Sequence, residues 1–213
     1  MNISITVMAH PKRKAAAEAL LDQLKQYPFA AAFITWDEKN EEWDTGSRSI
    51  AAGAGLADWH IVIQDDALLT PDFYANLEGA IQTVPERVMF SLYVGRVQPM
   101  REPVIDAVAK AYHATWLKHY MLFWGVGVAI PSDHIEPLLE FCSDAQFADT
   151  LYDIRIGMFY QRNRLPVFYT MPSLVNHDDD LGSLLEHGVG IERREAHRLA
   201  EGLVQWNSSY IPI

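Results

Sequence analysis

Apolar runs of strand length alternate with amphipathic, often proline-opened runs of helical length along almost the whole chain, and this alternation limits the fold more than any single motif. Residues 3–8 read as a buried strand, after which Pro11 opens a helix with Leu20, Leu21 and Leu24 on one side. Pro28 ends it. A second strand covers 31–36, and a polar loop through Asp37, Glu38, Asn40 and Asp44 leads to a short helix over about 47–56. A third strand, 59–63, runs straight into Gln64-Asp65-Asp66, and Thr70-Pro71 starts the next helix. Further strands are expected at 88–94, 123–130 and 167–170, with helices at 104–117, from Pro131-Ser132 through Phe141, and near 150–162, then a closing loop and helix. The pattern implies an α/β sandwich with a mostly parallel central sheet flanked by helices. In such sheets a ligand sits beyond the carboxyl ends of the strands.

A chain of 213 residues without repeats or a Pro/Gly/Ser linker fits a single domain, 1–213. No apolar stretch approaches the roughly 20 residues that cross a bilayer, so no membrane span is expected. The first residues lack the basic start and long apolar run of a secretory signal. The single cysteine, Cys142, agrees with a reducing compartment, and the cytoplasm is the expected location. A formal charge of -11 supplies no long-range attraction to nucleic acid or phospholipid. The densest basic cluster, Arg193, Arg194 and Arg198, alternates with Glu192, Glu195 and Glu201, the pattern of a solvated helix face.

Two adjacent carboxylates after a buried strand repel each other and lose hydration unless something compensates them. A divalent cation such as Mg²⁺ or Mn²⁺ does so, and it commonly completes its shell with substrate phosphates. The competing reading is that Asp65 and Asp66 simply begin a turn. Late in the chain His177 follows the strand at 167–170 and is a candidate ligand, or a hydrogen-bonded histidine of no catalytic consequence. Asp178, Asp179 and Asp180 then add metal affinity, or cap the helix expected from Gly182.

The order of five segments resembles the nucleotide-sugar glycosyltransferases of GT-A fold, especially small bacterial and phage members. These are Met8-Ala9-His10-Pro11-Lys12-Arg13, Val62-Ile63-Gln64-Asp65-Asp66, the run from Trp124 to Pro131, Tyr152-Asp153-Ile154-Arg155-Ile156-Gly157, and Pro172-Ser173-Leu174-Val175-Asn176-His177. The resemblance covers nearly the whole chain. It implies a Rossmann-like single domain with a nucleotide-binding half over about 1–95, an acceptor and catalytic half over about 96–180, and a closing loop and helix over about 181–213. The family writes its acidic motif Asp-any-Asp, and Gln64 departs from it. By resemblance Asp66 and His177 hold the metal, Mn²⁺ or Mg²⁺, while Asp65 contacts the ribose or orients the loop. His10, Pro11 and Arg13 fall where the base binds, Asp37 beside the base edge, and Arg48 beside a carboxylate or the diphosphate.

Sugar transfer also needs a base to take the acceptor's proton, and Asp153 occupies the place of the base in inverting members, with Asp149 its nearest competitor. Trp124 is expected to stack on the donor sugar, and Gly125 and Gly127 either admit the donor to the backbone or serve close packing. The implied activity is therefore inverting transfer from a nucleotide-diphosphate sugar, with a UDP-sugar expected first, to an acceptor hydroxyl. A hydroxylated base in phage DNA, a glycan and a protein are all candidate acceptors. Two alternatives stay open: a sugar nucleotidyltransferase, for which no glycine-rich, lysine-bearing phosphate loop is present near the start, and a non-catalytic nucleotide-sugar or carbohydrate-binding module.

Overall fold

All seven residues of β1 (Ile3–Ala9) are buried, as expected of a strand covered on both faces. It pairs in parallel with β2 (Ala31–Trp36) on one side and β3 (Trp59–Gln64) on the other. A 3₁₀ turn at Pro11–Arg13 leads into α1 (Lys14–Leu24), which buries Ala17, Leu20 and Leu24 on the way to β2. The return from β2 to β3 is α2 (Glu42–Ala51). This helix starts before the expected residue 47, because Glu42 and Asp44 place negative charge in its first turn, where the helix dipole stabilises it. A buried histidine fixes α2 against the sheet. His60 Nδ1 lies 2.8 Å from Ser4 Oγ and Nε2 lies 2.9 Å from the Ser49 carbonyl, and burial holds its pKa down to about 4.

The computed structural model describes residues 1–96, 100–110, 113–182 and 193–213. Beyond β3 come β4 (Ala67–Leu69), α3 (Phe73–Thr83), β5 (Phe90–Ser91), α4 (Arg101–Lys110), β6 (Trp116–His119), β7 (Gly127–Pro131), α5 (Ser132–Cys142), α6 (Tyr152–Arg162), β8 (Val167–Thr170), β9 (Val175–His177) and β10 (Tyr210–Pro212). Eight strands form one sheet in the order β10-β6-β8-β5-β7-β3-β1-β2. The α/β architecture with flanking helices is as expected, but the sheet is mixed. β7 runs antiparallel to both β3 and β5, and β6 antiparallel to β8, which breaks the parallel run formed by β2, β1 and β3.

Three segments depart from expectation. Of the helix foreseen over 104–117, the described residues through Lys110 are helical in α4, and Trp116 and Leu117 instead belong to β6, both wholly buried. The strand foreseen over 123–130 begins only at Gly127. Among the described residues of the closing segment, 193–213 hold no helix: Ala196 bridges antiparallel to Gly95, and β10 adds an edge strand. Residues 183–192, where the rest of that helix was expected, lie outside the described residues. No helix among the described residues is long and apolar enough to cross a membrane.

Candidate active site

The parallel strands β1 and β3 end side by side, and the turns that leave them converge. The His10 backbone N–H donates to Asp65 Oδ2 at 2.8 Å, tying the end of β1 to the turn after β3. Arg13, in the 3₁₀ turn, reaches back so that Nη1 lies 2.8 Å from Asp65 Oδ1 and 2.6 Å from Asp66 Oδ2. Its other nitrogen, Nη2, donates to the Gly182 carbonyl. One guanidinium thus compensates both acids, each of them buried.

His177 arrives from far along the chain through a second, two-stranded sheet. β4 begins at the residue after Asp66 and pairs antiparallel with β9, setting Ala67 opposite His177. His177 Nε2 then lies 3.2 Å from Asp66 Oδ2. This separates the two acids electrostatically. Burial raises the pKa of Asp65, against the opposing pull of the His10 N–H and Arg13. Burial pushes Asp66 upward as well, but His177 and Arg13 outweigh it and hold Asp66 below the ordinary carboxylate value. Asp66 is the more readily ionised member of the pair.

Two lobes of one cleft open around this centre. The first is lined by Ala9, His10, Arg13, Asp37, Asn40 and Thr45 together with Asp65 and Asp66. The second is lined by Tyr93, Phe123, Trp124, Gly125, Tyr152, Asp153 and His177. Glu42, Gln64 and Arg194 line both. His10 and Asp37 face each other at 3.9 Å, and Asp37 Oδ1 accepts the N–H groups of Lys39 and Asn40 at 3.0 and 2.8 Å, which shapes the loop after β2. Pro11 only opens the turn that carries Arg13.

Asp153 stands in the first turn of α6 and takes the N–H of Ile154 at 2.7 Å. Burial, with a smaller contribution from Glu42, lifts its pKa to about 6. Its expected alternative partner is turned away: buried Arg155 donates to the carbonyls of Phe147, Ala148 and Cys142 and stacks over Trp43. Asp149 is exposed and does not line the cleft. Trp124 lies in the second lobe with its ring edge-on to Tyr93 and Tyr169. Tyr152 is wedged between two glycines. A Cβ at Gly46 would fall 2.3 Å from its ring and one at Gly125 would fall 2.9 Å away, so Gly125 serves close packing at the cleft wall. Gly127 packs against Leu92 and Val175.

Arg48 is not part of the cleft. Its Nε lies 2.9 Å from Asp44 and its Nη2 donates to the Trp36 carbonyl at 2.8 Å, the structural salt bridge rather than the diphosphate contact. Arg194, by contrast, was read as part of a solvated face and lines both lobes, with Nε 2.9 Å from Asp179. Glu42, the other missed cleft residue, accepts the Tyr152 N–H at 3.3 Å. Of the acidic triplet, Asp178 caps the 3₁₀ turn Asp179–Leu181, and Asp179 Oδ1 is 3.7 Å from His177 Nδ1.

Among the described residues no three His, Cys, Asp or Glu side chains are grouped closely enough to enclose a metal ion. The donors present still fit a cation whose remaining positions belong to phosphate and water, as Mg²⁺ sites often do. Asp66 Oδ1 and His177 Nδ1 are buried without a hydrogen-bond partner among the described residues. Asp66 and His177, whose Oδ2 and Nε2 lie 3.2 Å apart, are the residues that would hold such an ion. No family model and no curated protein matches this chain.

Proposed function

We propose that this protein is a glycosyltransferase that holds a nucleotide-diphosphate sugar across the two lobes and passes the sugar to an acceptor hydroxyl with inversion. The observation that carries the reading is the juxtaposition in one cleft of the Asp66–His177 pair, at the carboxyl edge of β3, with a half-buried carboxyl, Asp153, on α6. The nucleotide lies in the first lobe against His10 and Asp37, with Asp65 holding the β1 and β3 turns together. Mn²⁺ or Mg²⁺ on Asp66 and His177 would supply Lewis-acid stabilisation of the departing diphosphate. Arg13 and Arg194 bring further positive charge to the same oxygens.

In the second lobe Trp124 and Tyr93 offer aromatic faces to the sugar or acceptor. Asp153 accepts the acceptor's hydroxyl proton as that oxygen bonds to the anomeric carbon and the bond from that carbon to the diphosphate breaks. A pKa of about 6 leaves it largely ionised at neutral pH yet basic enough for this work. The net charge of -11 favours a glycan or protein acceptor over DNA.

Calorimetric titration with UDP and the other nucleoside diphosphates, in Mn²⁺ and in a chelator, tests the reading. Saturable, metal-strengthened binding is expected, and no binding of any diphosphate contradicts it. Donor binding without turnover in both the natural protein and Asp153→Asn supports a non-catalytic binding module instead.

A further inference from the structure

Outside the cleft, the loop after β5 and the segment following residue 192 run antiparallel. Arg96 N–H donates to the Glu195 carbonyl at 3.1 Å and His197 N–H to the Val94 carbonyl at 2.7 Å, around the Gly95–Ala196 bridge. This ladder turns Tyr93 and Arg194 toward the second lobe of the cleft and lays Arg96, Arg193 and His197 along an outer groove, which Arg101 and Ile105 of α4 complete. Only 17 of the 213 residues are Lys or Arg, in a chain of net charge -11, so this gathering of arginines beside the acceptor lobe is a local reversal of sign.

The groove also shows which ion it suits. Glu195 sits between two guanidinium groups, with Oε2 3.5 Å from Arg96 Nη1 and Oε1 3.2 Å from Arg193 Nε. One carboxylate is shared by two arginines, both more than half exposed, so the pairing is weak and readily exchanged for a stronger anion. Asp180 also approaches Arg193, at 3.1 Å, but is itself largely exposed. His197 lies beside Arg96, whose charge and the ring's burial both hold its pKa below the usual value, and its Nδ1 is buried without a hydrogen-bond partner among the described residues. A tetrahedral dianion matches paired guanidinium forks better than a single carboxylate does.

We propose that the groove lined by Arg96, Arg193 and His197 is a phosphate site, and that it receives a phosphomonoester carried by the acceptor. The second half rests on the glycosyltransferase reading, and the first does not. The groove's phosphate then anchors the acceptor while its hydroxyl reaches Asp153 past Tyr93 and Arg194.

The test is a titration of the purified full chain with inorganic phosphate and with a hexose phosphate, followed by calorimetry at two salt concentrations. Saturable binding is expected, at least about 10-fold weaker in Arg96→Ala/Arg193→Ala, since two charge-assisted contacts to the phosphate are lost. Glu195→Gln removes the internal competitor and tightens phosphate binding several-fold, a gain that general damage to the fold does not produce. UDP binding in the cleft stays unchanged in all these variants, so the phosphate site and the donor site fail separately. Absence of phosphate binding, or equal binding in all variants, overturns the site. Binding of a short DNA duplex through the same arginines, with hexose phosphate excluded, overturns the phosphomonoester assignment in favour of nucleic acid.

Discussion

The two lobes of the cleft are built differently. The first stands on the ends of parallel strands and is built around ion pairs: Arg13 bridges Asp65 and Asp66, and Asp37 caps its own loop. The second is framed by loops around the antiparallel strand β7 and the start of α6 and is rich in aromatic rings; buried polar atoms without a hydrogen-bond partner among the described residues occur in both, Arg13 Nε and Asp66 Oδ1 in the first and the Tyr152 hydroxyl and His177 Nδ1 in the second. Ion-paired charge suits a charged ligand such as a diphosphate, whereas aromatic faces suit a sugar ring. On the proposed reading, nucleotide binding falls to the first lobe and reaction to the second.

The sharpest break in this comparison is at the junction. Asp66→Asn removes the anion shared by Arg13 and His177 and is expected to lower turnover by about 1000-fold or more, with metal-dependent donor binding lost. Circular dichroism and calorimetry separate that outcome from unfolding. Retained metal-dependent binding moves the metal elsewhere.

Asp153→Asn divides the lobes next. Turnover is expected to fall by about 100- to 10,000-fold with donor affinity unchanged. In the natural protein the rate rises with pH through about 6 as Asp153 ionises, and this limb disappears in the variant. Stability moves the other way. The folded pKa of about 6 exceeds the ordinary carboxyl value of 3.8, so between these values the folded state binds more protons and stability falls as pH rises. At pH 7 the variant therefore melts higher than the natural protein, by about 2–6 °C. An unchanged or lower melting temperature contradicts the desolvated carboxyl.

Gly46→Ala tests the wedge that joins the lobes. The added carbon meets the Tyr152 ring at 2.3 Å, and a loss of about 1–3 kcal/mol in chemical denaturation is expected, with a smaller fall in turnover as Asp153 shifts. Arg48→Ala is the smallest change. Its ion pairs are partly exposed, so stability should drop by less than about 1 kcal/mol and donor affinity should hold within twofold. A large loss of affinity returns Arg48 to the diphosphate.

The sequence made the first lobe more legible than the second, for physical reasons. Strands β1 and β3 are long and mostly apolar, so their ends, and with them His10, Asp65 and Asp66, could be placed at the sheet's carboxyl edge. His177 could be named as a candidate, but its approach to Asp66 depends on two three-residue strands, β4 and β9, too short to carry a periodic signal. Glu42 was hidden because an acidic first helical turn looks like a polar loop. Arg194 was hidden because a chain alternating Arg and Glu resembles a solvated helix, whereas here it pairs with the loop at 94–96. The strand β6 was read as helix since buried Trp116 and Leu117 satisfy either period over so short a span.

The most direct measurement of the central claim is mass spectrometry of the full chain incubated with a panel of nucleotide-sugars, Mn²⁺ and candidate acceptors, beside Asp153→Asn under the same conditions. The account predicts release of a nucleoside diphosphate and an acceptor heavier by one sugar residue, with both products lost in the variant. Neither release nor transfer from any donor, or equal amounts from the natural protein and the variant, contradicts it.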